Sequence, residues 1–168
     1  TAAREAAPPV PEDLEDMNAD RLTVKAAEAL QAAVAESRRR GHPEVAGAHL
    51  LHALLEQEEG IVVPVLQKLG LQIPVVRQRV EEALGRYARV EGGMEGRLSR
   101  DLQKAIDEAE SQARALGDEY VSTEHLLLGL AGEKDDAGRI LREAGAGKDQ
   151  VAQALEAVRG THRVTRSE

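Results

Sequence analysis

Apolar residues along this chain recur every three or four positions, in segments separated by glycines and polar clusters. In residues 21–41, "RLTVKAAEALQAAVAESRRRG", the side chains of Ala27, Leu30 and Val34 fall on one helical face. In residues 97–117, "RLSRDLQKAIDEAESQARALG", Leu102, Ile106 and Ala109 do the same. Thr23 and Ser99 stand where a hydroxyl can accept a hydrogen bond from an amide of the first turn. Gly41 and Gly117 stand where a left-handed residue ends a helix. β-Branched runs of strand length, bounded by turn signals, are nearly missing. The pattern predicts an all-α protein.

The two segments are copies. "PEVAGAHLLHALL" (43–55) returns as "EYVSTEHLLLGLA" (119–131), so that His49 and His125 stand 76 positions apart, the same offset that separates Thr23 from Ser99. "VLQKLG" (65–70) returns as "ILREAG" (140–145) with one residue deleted, and "VVRQRVEEAL" (75–84) as "QVAQALEAVR" (150–159). Each half therefore reads as one long helix, two shorter ones and a closing helix. Ser122 is the expected N-cap of the helix beginning at Thr123, with Gly47 in that place in the first half; Gly70 and Gly145 end the third helices. A half of this length has a small core by itself, and two halves packed face to face bury a shared one. The expected fold is an eight-helix bundle of two four-helix repeats related by a pseudo-two-fold axis. Repeat one spans 17–86, a glycine-bearing bridge 87–96 and repeat two 97–160, within one domain over 17–160. Residues 1–16, with Pro8, Pro9 and Pro11, read as a flexible leader, either a native extension or an addition, and residues 161–168 as the start of a linker.

Composition narrows the chemistry. Hydrophobic residues make up 42%, but Phe and Trp are absent, so the core has to be aliphatic. The formal net charge of −8 argues against a general nucleic-acid binder. Without cysteine there is no disulfide, thiol nucleophile or thiolate metal site, which fits a cytoplasmic location. No apolar run approaches the ~18 residues of a membrane span, and no membrane partner is expected.

No catalytic constellation stands out. A phosphate-binding G-x-x-x-x-G-K-[ST] and a G-x-S-x-G nucleophile elbow are both absent, so neither nucleotide nor other cofactor is expected on this chain. His49, His52 and Glu56 lie on neighbouring turns, a spacing open to a metal. The second half has Leu128 and Gly132 where His52 and Glu56 would recur, so no metal site is expected. Asp118 and Glu124 lie at or beside a short connection and read two ways. They complement a helix dipole, or they form an acidic rim beside an apolar groove.

The segments "RLTVKAAEALQAA", "GDEYVSTEHLLLGL", "ILREAG" and "VRGTHRVT", in this order and twice over, resemble the double Clp repeat at the N-terminus of the ClpA, ClpB and ClpC chaperones. The closing stretch is most similar to the ClpB branch of that family. The resemblance covers Met17 to about Thr165 and implies a non-catalytic recognition domain. It would weakly bind exposed apolar segments of unfolded or aggregated polypeptides in an inter-helix groove. The domain alone would be monomeric; the parent would be a hexameric disaggregase using ATP and Mg. The alternative is docking of an adaptor protein, as in ClpA and ClpC relatives. By resemblance the substrate-binding positions are Thr23, Ile106, Asp118, Glu124 and His125, with Ile106 and His125 lining the groove. ClpC relatives read phosphoarginine through a glutamate before the His of each repeat. This chain has Glu124 in one repeat but Ala48 in the other, and phosphoarginine recognition is not expected.

Overall fold

A computed structural model of the protein describes residues 19–91 and 96–159. The leader, part of the bridge and the expected linker lie outside these described residues. After a short 3-10 turn at Ala19–Arg21 come eight α-helices: α1 (Val24–Arg40), α2 (Gly47–Glu56), α3 (Val62–Lys68), α4 (Ile73–Gly85), α5 (Arg100–Ala115), α6 (Thr123–Ala131), α7 (Asp136–Glu143) and α8 (Lys148–Arg159). The described residues contain no strand beyond two isolated bridges.

Most of the expected starts and stops are present. Thr23 Oγ1 accepts from the Ala26 amide at 3.1 Å, and Ser99 Oγ accepts from the Leu102 amide at 3.1 Å. Gly41 and Gly117 take φ of 73° and 74°, a conformation that costs other residues energy. One expectation is corrected. The N-cap of α2 is Ala46, and Gly47 is the first helical residue, aligned with Thr123. Glycine is needed there for packing: a Cβ would come within 2.5 Å of Asp135 Oδ2 and 3.2 Å of Leu130 Cδ2.

Helices α2 and α6 form the centre of the bundle. Every residue of α6 is buried, as are eight of the ten of α2, which is why both read as apolar nearly all round. Helix α1 packs on α2, and α5 on α6; α4 packs on α2, and α8 on α6. The two halves also exchange elements, since α4 packs on α7 and α8 on α3. Leu22 pairs with Val121 and Val45 with Leu98 in parallel bridges, so that each half lends a residue to the other at equivalent places. The result is one aliphatic core running through both repeats.

Candidate functional site

The connection between α5 and α6 carries the densest polar cluster in the interior. The left-handed turn at Gly117 delivers Asp118 towards the start of α6, and the Asp118 amide donates back to the Ala113 carbonyl at 2.9 Å. His125 occupies the third position of α6, where its Nδ1 accepts the Ser122 amide at 2.8 Å. An imidazole thus takes the part that Glu or Gln plays in a capping box. With Nδ1 accepting an N–H, the ring proton sits on Nε2, which donates to Asp118 Oδ2 at 2.7 Å. Ser122 Oγ donates to Glu124 Oε1 at 2.7 Å.

The carboxylates are closed off by the end of α8. Arg159 donates Nη1 to Asp118 Oδ2 at 2.9 Å and Nη2 to Oδ1 at 2.6 Å, and its Nη1 lies 3.3 Å from Glu124 Oε2. This is a two-point contact between planar groups 41 positions apart in sequence, made almost out of reach of water. Burial lowers the pKa of His125, opposed by the Asp118 hydrogen bond, and the ring stays neutral. A second ring proton would also turn Nδ1–H against the Ser122 amide.

Repeat one builds the same scaffold with other chemistry. His49 Nδ1 accepts the Ala46 amide at 2.8 Å, as His125 does with Ser122. Its Nε2 meets Nδ1 of His42 at 2.7 Å, and His42 stands where Asp118 stands in repeat two. The Tyr87 ring closes over both imidazoles, with centroids 5.4 Å from His42 and 5.8 Å from His49, and its hydroxyl donates to Asp136 Oδ2 at 3.1 Å. Burial foremost, then the neighbouring His42 and Arg40, lowers the His49 pKa to about 4. Leu84 takes the place of Arg159 and Ala48 that of Glu124. One repeat holds charge; its counterpart is neutral.

Of the five exposed large apolar side chains among the described residues, Val75 and Val90 stand apart in repeat one and the bridge, and three adjoin residues of this cluster in sequence. Val24 (53% exposed) follows Thr23, whose amide donates to the Val121 carbonyl at 2.9 Å. Leu116 (39%) precedes Asp118 by two residues, and Val158 (47%) precedes Arg159 by one. The counterpart of Val24 in repeat two is Arg100, and the counterparts of Leu116 and Val158 in repeat one are Arg40 and buried Ala83.

Comparison with known proteins gives this arrangement a family. Residues 21–144 match the model of the Clp repeat (R) N-terminal domain. The chain belongs to that family. It is 39% identical over 145 residues to the chaperone protein ClpB of Corynebacterium glutamicum, and 40% identical over 147 residues to that of Mycobacterium tuberculosis. These alignments cover 85% and 87% of this chain but 17% of each relative, so the chain spans a small part of their length. The N-terminal domain of Hsp104 from Candida albicans superposes with a TM-score of 0.78 at 18% identity, covering 88% of this chain and 97% of that one. The Clp repeat domain is a non-catalytic part of ClpB-like chaperones, this chain is a Clp N-domain of the ClpB type, and it shares its fold with that of Hsp104.

Within this Clp N-domain, four of the five expected site residues are linked, but not on the expected surface. His125 and Asp118 meet directly, Glu124 joins them through Ser122 and Arg159, and Thr23 through its amide bond to Val121. Ile106 is 1% exposed in the core and His125 fully buried, so neither lines an open furrow, because α5 and α6 pack too closely to leave one. Asp118 and Glu124 are likewise buried around Arg159, where an exposed acidic rim was expected. Sequence reasoning missed Arg159. The signal was a cation aligned with the buried Leu84 of the other repeat. His52, one of the three residues open to a metal, turns outward to Glu81 at 3.5 Å while His49 turns inward.

Proposed function

We propose that this N-domain recognises exposed apolar segments of unfolded or aggregated polypeptides, on behalf of an ATP-driven hexameric disaggregase whose motor would bind ATP and Mg. Val24, Leu116 and Val158 make the contact. Thr23, Asp118, Glu124 and His125 hold that surface in shape from beneath, and Ile106 supports α5 from the core. The observation that carries this reading is that three of the five exposed large apolar side chains among the described residues adjoin residues of this cluster, at positions whose counterparts in the other copy are charged or buried. Three side chains offer little area at ~25 cal/mol per Å² before ordering costs, so binding weaker than about 10 µM is expected. Weak binding suits a module that hands its client onward, and six copies in a ring raise avidity through effective concentration.

A second reading is docking of one defined adaptor or partner. It is favoured by a structural relative, the N-domain of ClpV in complex with a VipB peptide, with a TM-score of 0.69 at 21% identity, covering 92% of this chain and 96% of that one. The two readings separate in an NMR titration against an unfolded client protein. Client recognition gives shifts at residues 22–24, 116–122 and 155–159 that saturate in the micromolar-to-millimolar range. No shift at millimolar client, or shifts elsewhere, removes it. Leu116→Asp and Val158→Asp should each cut client affinity about tenfold without lowering the melting temperature, because both side chains already face water. A charge at Ile106 is no test of binding, since there it destabilises the fold.

A further inference from the structure

Arg159 is the last described residue of α8. The side chain that closes the Asp118–Glu124 cluster therefore belongs to the last described turn of that helix. We infer that Arg159 is a latch that couples a segment docked on Val24, Leu116 and Val158 to the order of this turn.

Three observations support the coupling. The last turn of a terminal helix frays readily unless something ties it down. Here the tie is a two-point guanidinium–carboxylate contact at 2.6 and 2.9 Å, with Glu124 as a further carboxylate at 3.3 Å. The tie reaches the α5–α6 connection, which presents Leu116, and it comes from the turn that presents Val158. With the latch closed, Val158 and Leu116 are therefore held in fixed relation. Repeat one fastens its exit differently: Leu84 is buried in the core, and the Val90 amide donates to the Gly41 carbonyl at 2.8 Å.

A surface split across a latched joint binds best when the joint is closed. Linkage then works in both directions: closing the latch strengthens docking, and docking keeps the latch closed. A docked segment would thus steady the last described turn of α8, and an empty domain would let that turn fray more readily.

Hydrogen exchange at the amides of residues 156–159 tests this, with Arg159→Gln and Arg159→Lys compared with the unaltered chain. Glutamine should speed exchange of these amides by about tenfold or more, while amides of α2 and α6 keep their protection. Lysine, which keeps the charge but lacks the fork, should restore only part of it. Asp118→Asn provides a second route, weakening the latch from the other side. Equal exchange in all four proteins overturns the latch. The coupling, which rests on the proposed function, is read with an uncharged 12-residue peptide of Leu, Val, Ala and Ser as probe. The probe should slow exchange at 156–159 in the unaltered chain and bind several-fold more weakly to Arg159→Gln. Equal affinity for both proteins overturns the coupling. A probe that binds neither overturns the proposed function and the coupling together, while the exchange rates without probe still decide the latch.

Discussion

Two histidines in equivalent positions, His49 and His125, make the same backbone contact and face opposite partners. His49 gives the clearest pH prediction. Unfolded, it takes up its proton near 6.5; folded, only near 4. Between these values the unfolded chain binds more protons, so the stability this residue contributes is whole above pH 6.5 and is lost as pH falls towards 4, by about 3 kcal/mol. The pKa values of His42 and His125 shift in the same direction, by burial first, and add to the loss. Glu36 acts only at the acid edge of this window. Burial pushes its pKa up, but the Arg39 and Arg40 hydrogen bonds hold it at about 2, so its contribution is lost only below about pH 4.5. Urea unfolding at pH 7, 5.5 and 4 should show this decline, and His49→Gln should flatten it, because Gln still accepts the Ala46 amide without titrating. A variant that declines as steeply as the unaltered chain would count against the assignment. At this scale the sequence was partly legible. The paired His-Leu-Leu starts and the two caps could be read from local spacing. The partners of His125 could not, since Asp118 is seven residues away across a turn and Arg159 arrives from another helix.

Helix boundaries were legible because each rests on a few neighbouring residues, and the repeat gives every signal twice. The distance between helices is set elsewhere, as Gly129 illustrates. A Cβ at 129 would collide with the Ala105 carbonyl, so α6 lies directly against the backbone of α5. In repeat one the equivalent residue is Ala53, and α1 and α2 accommodate its methyl group. The sequence records this as one Ala-to-Gly difference between copies, which could equally be a weak spot in a helix. The packing removes that ambiguity and also explains why no open furrow runs beside Ile106. Gly129→Ala should destabilise the domain by about 2 kcal/mol or more, despite the better helix propensity of alanine, because backbone cannot yield as a side chain does. Ala53→Gly should also destabilise, by about 2 kcal/mol, because lost helix propensity and one buried methyl each cost roughly 1 kcal/mol. Thermal unfolding of the two variants beside the unaltered chain measures both losses. A Gly129→Ala variant as stable as the unaltered chain would mean that α5 and α6 are farther apart than described.

The duplication announced two halves, and composition limited each to a small aliphatic core, but neither showed how the halves are joined. They interlock. The Val121 amide donates to the Arg21 carbonyl at 2.8 Å, and the Val45 amide donates to the Arg97 carbonyl at 2.8 Å, the same bond made twice with the halves exchanged. Thr23 and Ser99, which start the long helices, donate their amides to Val121 and Val45 in turn. The first turns of α1 and α5 are thus each anchored on the opposite repeat, and the closing helices α4 and α8 cross over in the same way. A single half would expose those backbone groups to water and lose the apolar surface beneath the exchanged helices. At this length, with no Phe, Trp or Cys and two Tyr in the whole sequence, it has little other source of stability. Residues 96–159 expressed alone should therefore lack a cooperative thermal transition by circular dichroism, whereas residues 19–159 should melt in one. If the isolated half instead unfolds cooperatively as a monomer, the interlocking is dispensable and each repeat is a domain in its own right. In the interlocked molecule, a disturbance at one long-helix start is also a disturbance at the connection entering the other half's second helix, and in repeat two that connection carries Asp118 and Ser122. Thr23 can then influence the surface we propose for client binding without touching a client, by setting where Val121 and the residues on either side of it lie.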